Sequence, residues 1–257
     1  MRYEQIDVEV REEVALITLN RPDRMNAWTY QMNRELVHAI AAANDDAEVG
    51  AIIVTGAGRG FCAGADVSET FEPQIEGETS GGPLSGDWVQ LIRGSKPIVA
   101  AVNGATVGVG LTMILSFDVI VAAESAKFGM FFVKMGVVPE LASTNFLVQR
   151  MGFGRASEMC LSGRLYSGAE AHEAGLADHL APDDACLEKA LEIARSMGCN
   201  PPPQLRWIKE LLTQNACEAD LAKVQQREFA RLGEAYGSPE HREAVRAFRE
   251  KRPPNFR

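Results

Sequence analysis

Apolar and polar residues alternate over residues 6–10, and residues 14–19 are almost entirely apolar. The two stretches, separated only by Arg11, Glu12 and Glu13, predict a hairpin. Three further apolar runs, 51–55, 97–102 and 119–122, are short and flanked by glycine or polar residues. They predict buried strands. Helical spacing of apolar positions over 32–43, 88–92 and 108–116 fills the intervals. Strand followed by helix, repeated in this way, defines an α/β core. From residue 140 onward the pattern is almost wholly helical, with predicted helices at 140–151, 156–161, 168–174, 184–197, 203–215, 221–236 and 239–248. Gly198, Cys199, Asn200 and Pro201 interrupt it, predicting a core over 1–197 and a helical region over 198–257. Residues 71–86, acidic and rich in Gly and Ser, predict a surface loop.

Composition narrows the function classes. A net charge of −9 opposes general nucleic-acid binding, which needs a concentrated basic surface. No apolar segment is long enough to predict a membrane span or a signal peptide. The five cysteines are scattered, with neither metal-ligand spacing nor a disulfide framework, which suits a reducing compartment; the cytoplasm is the expected location. His38, His172, His179 and His241 share no ligand spacing, so neither a metal nor a redox cofactor is expected.

The chemistry concentrates in two glycine-containing segments, Phe61-Cys62-Ala63-Gly64-Ala65-Asp66 and Asn103-Gly104-Ala105-Thr106-Val107-Gly108-Val109-Gly110. Each follows a predicted buried strand and opens a predicted helix, a turn that points backbone N–H groups outward at the positive end of a helix dipole. Two such turns on neighbouring strands form an oxyanion hole suited to an enolate or a tetrahedral anion. Asp66, at a helix start, reads as a cap, and Asp118, before a strand, as a structural hydrogen-bond acceptor.

These segments, with Leu19-Asn20-Arg21-Pro22, Asn26-Ala27, Asp118, Gly163-Arg164, Ala169-Glu170-Ala171, Gly175-Leu176 and Phe248-Arg249-Glu250-Lys251-Arg252, resemble the crotonase (enoyl-CoA hydratase/isomerase) superfamily along nearly the whole chain. The resemblance implies a spiral of ββα units with a C-terminal helical trimerisation region, hence a homotrimer or a dimer of trimers. It also implies an acyl-CoA or enoyl-CoA thioester ligand, CoA entering as part of the substrate. The implied oxyanion donors are the N–H groups of Ala65 and Val109. The implied substrate contacts are Arg24, Met25, Ala27, Ala63, Phe132, Phe248 and Lys251.

Two glutamates of the family's hydratases match Thr112 and Phe132 here, and neither residue serves as a carboxylate base. Residues 131–140, which end in Pro139-Glu140 and are followed by Ser143 and Phe146, instead resemble the peroxisomal-type Δ3,Δ2-enoyl-CoA isomerases. That resemblance puts the catalytic base at Glu140. A Pro-Glu pair equally opens a helix, where the dipole lowers a carboxylate's pKa; burial beside Phe131 and Phe132 raises it. The expected activity is a shift of a 3-enoyl-CoA double bond to the 2-position. The alternatives are a hydratase, an acyl-CoA hydrolase or dienoyl-CoA isomerase, and a non-catalytic acyl-CoA binder. Met25, Trp28, Trp88 and loop 71–86 are candidates for shaping the acyl pocket.

Overall fold

The computed structural model describes residues 2–77 and 87–256. The predicted hairpin forms from β1 (Ile6–Arg11) and β2 (Val14–Leu19), with Glu12 and Glu13 both at positive φ in the turn. Thr29 caps α1 (Tyr30–Asp45) by accepting from the backbone N–H of Met32. The apolar runs become β3 (Ala51–Gly56), β5 (Ile98–Val102) and β7 (Val119–Ala123). Together with β10 (His179–Ala181) these strands form a six-stranded sheet in the order β1-β2-β3-β5-β7-β10, parallel from β2 onward. Every residue of β5 is buried, as its unbroken apolar run requires.

The apolar pattern did not show the strands of a second sheet, although the ββα units implied by the resemblance call for a second strand in each. Three-residue strands β4 (Gly60–Cys62), β6 (Ala105–Val107), β8 (Lys127–Gly129) and β9 (Leu165–Ser167) form this sheet in that order. Each of β3, β5 and β7 is therefore followed by a short strand in the other sheet before the chain turns helical, which is the ββα repeat. Residues 71–77 depart from the expected loop: a π-helical turn, Val67–Phe71, runs into α2 (Glu72–Ile75). The remainder of that loop, 78–86, lies outside the described residues. α3 (Trp88–Gly94) is as expected, whereas the helix predicted over 108–116 is only the single turn α4 (Val109–Thr112).

After residue 140 the chain is less uniformly helical than its pattern suggests, because β9 and β10 return to the two sheets. The helix predicted from residue 140 begins at Ser143, where α5 (Ser143–Ser162) continues past a non-helical Gly152. α6 (Gly168–Glu173) carries a capping box between Ser167 and Glu170, and α7 (Cys186–Gly198) packs on β3 and β5. α8 (Pro202–Asn215), α9 (Leu221–Tyr236) and α10 (Pro239–Glu250) follow. Asp118 accepts from the Ile98 N–H at 2.9 Å, from Arg93 at 2.8 Å and from Lys209 of α8 at 2.7 Å, so the predicted structural acceptor also ties α8 to the sheet.

Candidate active site

The two glycine turns leave β4 and β6, adjacent strands of the second sheet, rather than β3 and β5. They touch. A Cβ on Gly64 would stand 3.2 Å from the Val107 carbonyl oxygen, and one on Gly108 would stand 3.9 Å from the Gly64 Cα. Gly64 has φ +105° and Gly108 +55°, so both turns use backbone conformations that disfavour a side chain. Gly110 has no room for one either: its Cβ would lie 2.3 Å from the Cys62 carbonyl oxygen. Among the described residues, the N–H groups of Ala65 and Val109 have no hydrogen-bond acceptor. Val109 opens α4, so its N–H is one of the groups that a helix start leaves unpaired.

The segment around Asn26 holds the first turn in place. Asn26 is fully buried and donates to the carbonyls of Ala57 (2.9 Å) and Gly60 (2.8 Å), while its Oδ1 accepts from the Arg21 N–H. Trp28 donates its N–H to Gly64, and Asp66 donates back to Trp28, both at 2.8 Å. The Asp66 side chain does not cap a helix, contrary to expectation. It pairs with Arg21 at 3.1 Å and accepts from Ser68. Burial pushes its carboxyl pKa up, but the Ser68 and Arg21 contacts outweigh burial and hold it below the ordinary value.

Beside the paired turns lies a cavity of about 650 Å³. Ala63, Gly64, Ala65, Gly108 and Val109 form part of its wall, and Trp28, Phe132, Val138 and Glu140 other parts. Ala65, Val109, Glu140, Ala63 and Phe132 are thus brought together. Arg24, Met25, Ala27, Phe248 and Lys251 are not among the lining residues. Arg24 ends an exposed 3₁₀ turn, and the Met25 carbonyl accepts the Ala63 N–H at 3.0 Å. The Ala27 carbonyl accepts from Arg21. Phe248 is exposed on α10, and Lys251 follows that helix in a left-handed conformation. Of the candidates for shaping the pocket, Trp28 lines it, as does Phe71 among the described residues of the loop. Met25 instead packs beside Gly60, and Trp88 is buried with its indole N–H on the Met113 carbonyl.

Glu140 does not cap a helix. It precedes two residues in the left-handed region, Leu141 (φ 59°) and Ala142 (φ 54°), and α5 starts only after them. Its carboxylate Oε1 accepts the hydroxyl proton of the fully buried Thr112 at 2.6 Å. Burial pushes the Glu140 pKa up, and the Thr112 hydroxyl and the residue's own N–H oppose that only in part. Glu140 lies three residues before α5, outside its first turn. Thr112, given no role from sequence, is the direct partner of the only acidic side chain among the described lining residues. A signal was available: the resemblance matches Thr112, three residues after Val109 in the same helical turn, to a carboxylate position of hydratases.

This arrangement places two N–H groups without an acceptor among the described residues, and a carboxylate whose pKa burial raises, along one mostly apolar cavity. Such a site stabilises an enolate formed from a thioester. The sequence profile of the enoyl-CoA hydratase/isomerase family matches residues 9–257, and the chain belongs to that family. The 2,3-dehydroadipyl-CoA hydratase of Escherichia coli K12 is 35% identical, over 98% of this chain and 98% of that protein. The 1,2-epoxyphenylacetyl-CoA isomerase of the same organism is 34% identical, over 96% of each. A solved structure titled as an enoyl-CoA hydratase/carnithine racemase from Magnetospirillum magneticum AMB-1 superposes with a TM-score of 0.88 at 30% identity, covering 99% of both chains. The fold is the α/β crotonase fold, and the protein is an acyl-CoA enzyme of this family.

Proposed function

We propose that the protein shifts the double bond of a 3-enoyl-CoA to the 2-position, with Glu140 as the single base. The observation that carries this reading is that one acidic side chain, and no second, lines the cavity among the described residues. Glu140 removes a proton from C2, and the electron pair moves through the C1–C2 bond onto the thioester oxygen. The resulting dienolate oxygen accepts from the Ala65 and Val109 N–H groups. Glu140, now protonated, returns the proton to C4, the bonding pair shifts to C2–C3, and the thioester carbonyl re-forms. One carboxylate is sufficient because the proton leaves and re-enters on one face, and no water is consumed. Arg24, Met25, Ala27, Phe248 and Lys251 are assigned to the CoA portion, which extends beyond the cavity. The reading includes a homotrimer or a dimer of trimers in the cytoplasm.

Hydration is the second reading, favoured by relatives such as the Escherichia coli hydratase. It requires Glu140 to activate water beside Phe132. Absorbance distinguishes the two. Conjugation makes absorbance rise as 3-hexenoyl-CoA is isomerised, and hydration makes it fall from 2-hexenoyl-CoA. The expected result is a rise with the first substrate that drops by at least about a thousandfold in Glu140→Gln, with acyl-CoA affinity retained. Full activity in Glu140→Gln rejects the base assignment. A fall with the second substrate and no rise with the first establishes the hydratase. Thioester cleavage would identify a hydrolase, turnover only of a dienoyl-CoA would identify a dienoyl-CoA isomerase, and binding without turnover would identify an acyl-CoA binding protein.

A further inference from the structure

We infer that the cavity serves long-chain acyl groups, and that the far part of the hydrocarbon tail lies on an aliphatic lip formed by Val67, Met135, Val137 and Val138. The inference rests on the reading of the cavity as the acyl-CoA site, but not on which reaction follows. All four residues line the cavity, yet all four are exposed. Val138 is 80% exposed and each of the others roughly half. The floor differs: Trp28, Thr70 and Val109 line the same cavity and are buried. The cavity therefore opens from a closed floor to a mouth of aliphatic side chains in contact with water.

Local structure holds most of this lip in place. The 3₁₀ turn Phe131–Met135 ends at Gly136, which is left-handed at φ 70°. The Gly136 N–H donates to the Val133 carbonyl at 3.3 Å, and the Val137 N–H to the Phe132 carbonyl at 3.0 Å. The backbone of the turn is thus satisfied without a ligand, while its apolar side chains remain in water. Lys134, the single charged residue of 133–138, is not among the lining residues. Its methylenes pack beside the position of a Cβ on Gly163, and its ammonium lies 4.5 Å from the centroid of the Phe131 ring.

Single apolar residues scattered over a surface need no explanation, but a set grouped around the mouth of a cavity marks a surface that a ligand covers. The hydrocarbon tail is the occupant because the lip continues from the reacting centre. Val138 stands two residues before Glu140, so their Cα atoms are within about 7 Å of each other. Val67 stands two residues after Ala65 and bounds the same cavity. An acyl chain with C2 at Glu140 and its thioester oxygen at the Ala65 and Val109 N–H groups has no polar atom left for the remainder of its length. Each methylene laid on the lip removes apolar surface of both the chain and the lip from water.

The test uses saturated hexanoyl-CoA and dodecanoyl-CoA, which have no double bond to move or hydrate, titrated calorimetrically into the full chain below the micelle-forming concentration. Dodecanoyl-CoA should bind at least about fiftyfold more tightly, close to half of the free energy that full burial of the six added methylenes supplies. Replacing two of the exposed lip residues together, Met135→Ser with Val138→Ser, should cut that ratio by at least about threefold. Equal affinities, or a ratio that the double variant leaves unchanged, would overturn the inference while leaving the acyl-CoA site intact. A double variant that lowers the mass seen by light scattering and leaves the ratio unchanged would assign the lip to a contact between copies of the chain instead. Binding of neither thioester would overturn the acyl-CoA reading itself, and the inference with it.

Discussion

At the scale of single residues, the decisive contact is the 2.6 Å hydrogen bond from Thr112 to Glu140. The hydroxyl stabilises the ionised carboxylate and fixes one of its oxygens, opposing the upward push of burial. Thr112→Val keeps the side-chain volume and removes the donor, so the Glu140 pKa rises further. Because the proposed base would work in its ionised form, the acid limb of the kcat profile should move to higher pH. The rate below that limb should drop, because less of the carboxylate is ionised at any given pH. Thr112→Ser should return the limb to its original position. A limb unmoved in Thr112→Val would show that the hydroxyl has no electrostatic hold on the base. Glu140 was legible as a candidate because a family motif surrounds it. Its environment was not, because burial is a property of what packs around a residue.

At the scale of elements, the segment before α5 stores strain next to the chemistry. Leu141 and Ala142 both adopt left-handed backbone, which costs an L-residue about 1–2 kcal/mol. Ala142→Gly should relieve the second of these, adding about 1 kcal/mol to the unfolding free energy in a urea titration. The relaxed segment should hold Glu140 less firmly, lowering kcat more than it changes KM. No gain in stability would show that the strain is fully compensated by packing. The glycine turns illustrate the converse. Their glycines were legible in sequence as turn formers, but the shortness of β4 and β6 was not. Three residues make too few alternations to register as a strand, and these strands exist because neighbours supply their hydrogen bonds.

At the scale of the whole molecule, the C-terminal helices are anchored to the sheet by one buried cluster. Lys209 is 5% exposed and donates to Asp118 and to the carbonyls of Ile92 and Lys96. Burial pulls its pKa down to about 8, against the attraction of Asp118. Lys209→Ala should destabilise the protein by about 3 kcal/mol, read from the urea midpoint, because Asp118 loses one of its two cationic partners and keeps only Arg93 and the Ile98 N–H. The sign with pH follows from the lowered value. The unfolded chain keeps this proton up to its ordinary pKa of 10.5, whereas the native state releases it near 8. Stability contributed by Lys209 therefore grows as pH rises from about 8 to 10.5, and the gap to Lys209→Met should widen in that window. Beyond the anchor, Leu221, Phe229, Leu232 and Tyr236 are exposed on α9, and that helix buries none of its residues. Light scattering should give a mass of three or six chains, and Phe229→Glu should lower it; a monomeric wild type would remove the trimer from the proposal.

The sequence by itself determined what depends on local pattern. Unbroken apolar runs specify buried strands, helical spacing specifies the helices that cover them, and glycine marks where backbones must approach closely. These properties belong to a few consecutive residues, so they survive without knowledge of the rest of the chain. Tertiary structure alone decided the second sheet, the late start of α5, and the meeting of Thr112 with a carboxylate 28 residues further on. It also decided that Asp66 pairs with Arg21 instead of capping, while Glu140 stays in an apolar enclosure. Two acidic side chains of similar intrinsic chemistry thus take opposite shifts in pKa. What separates them is the set of neighbours that folding supplies, and no local pattern encodes it.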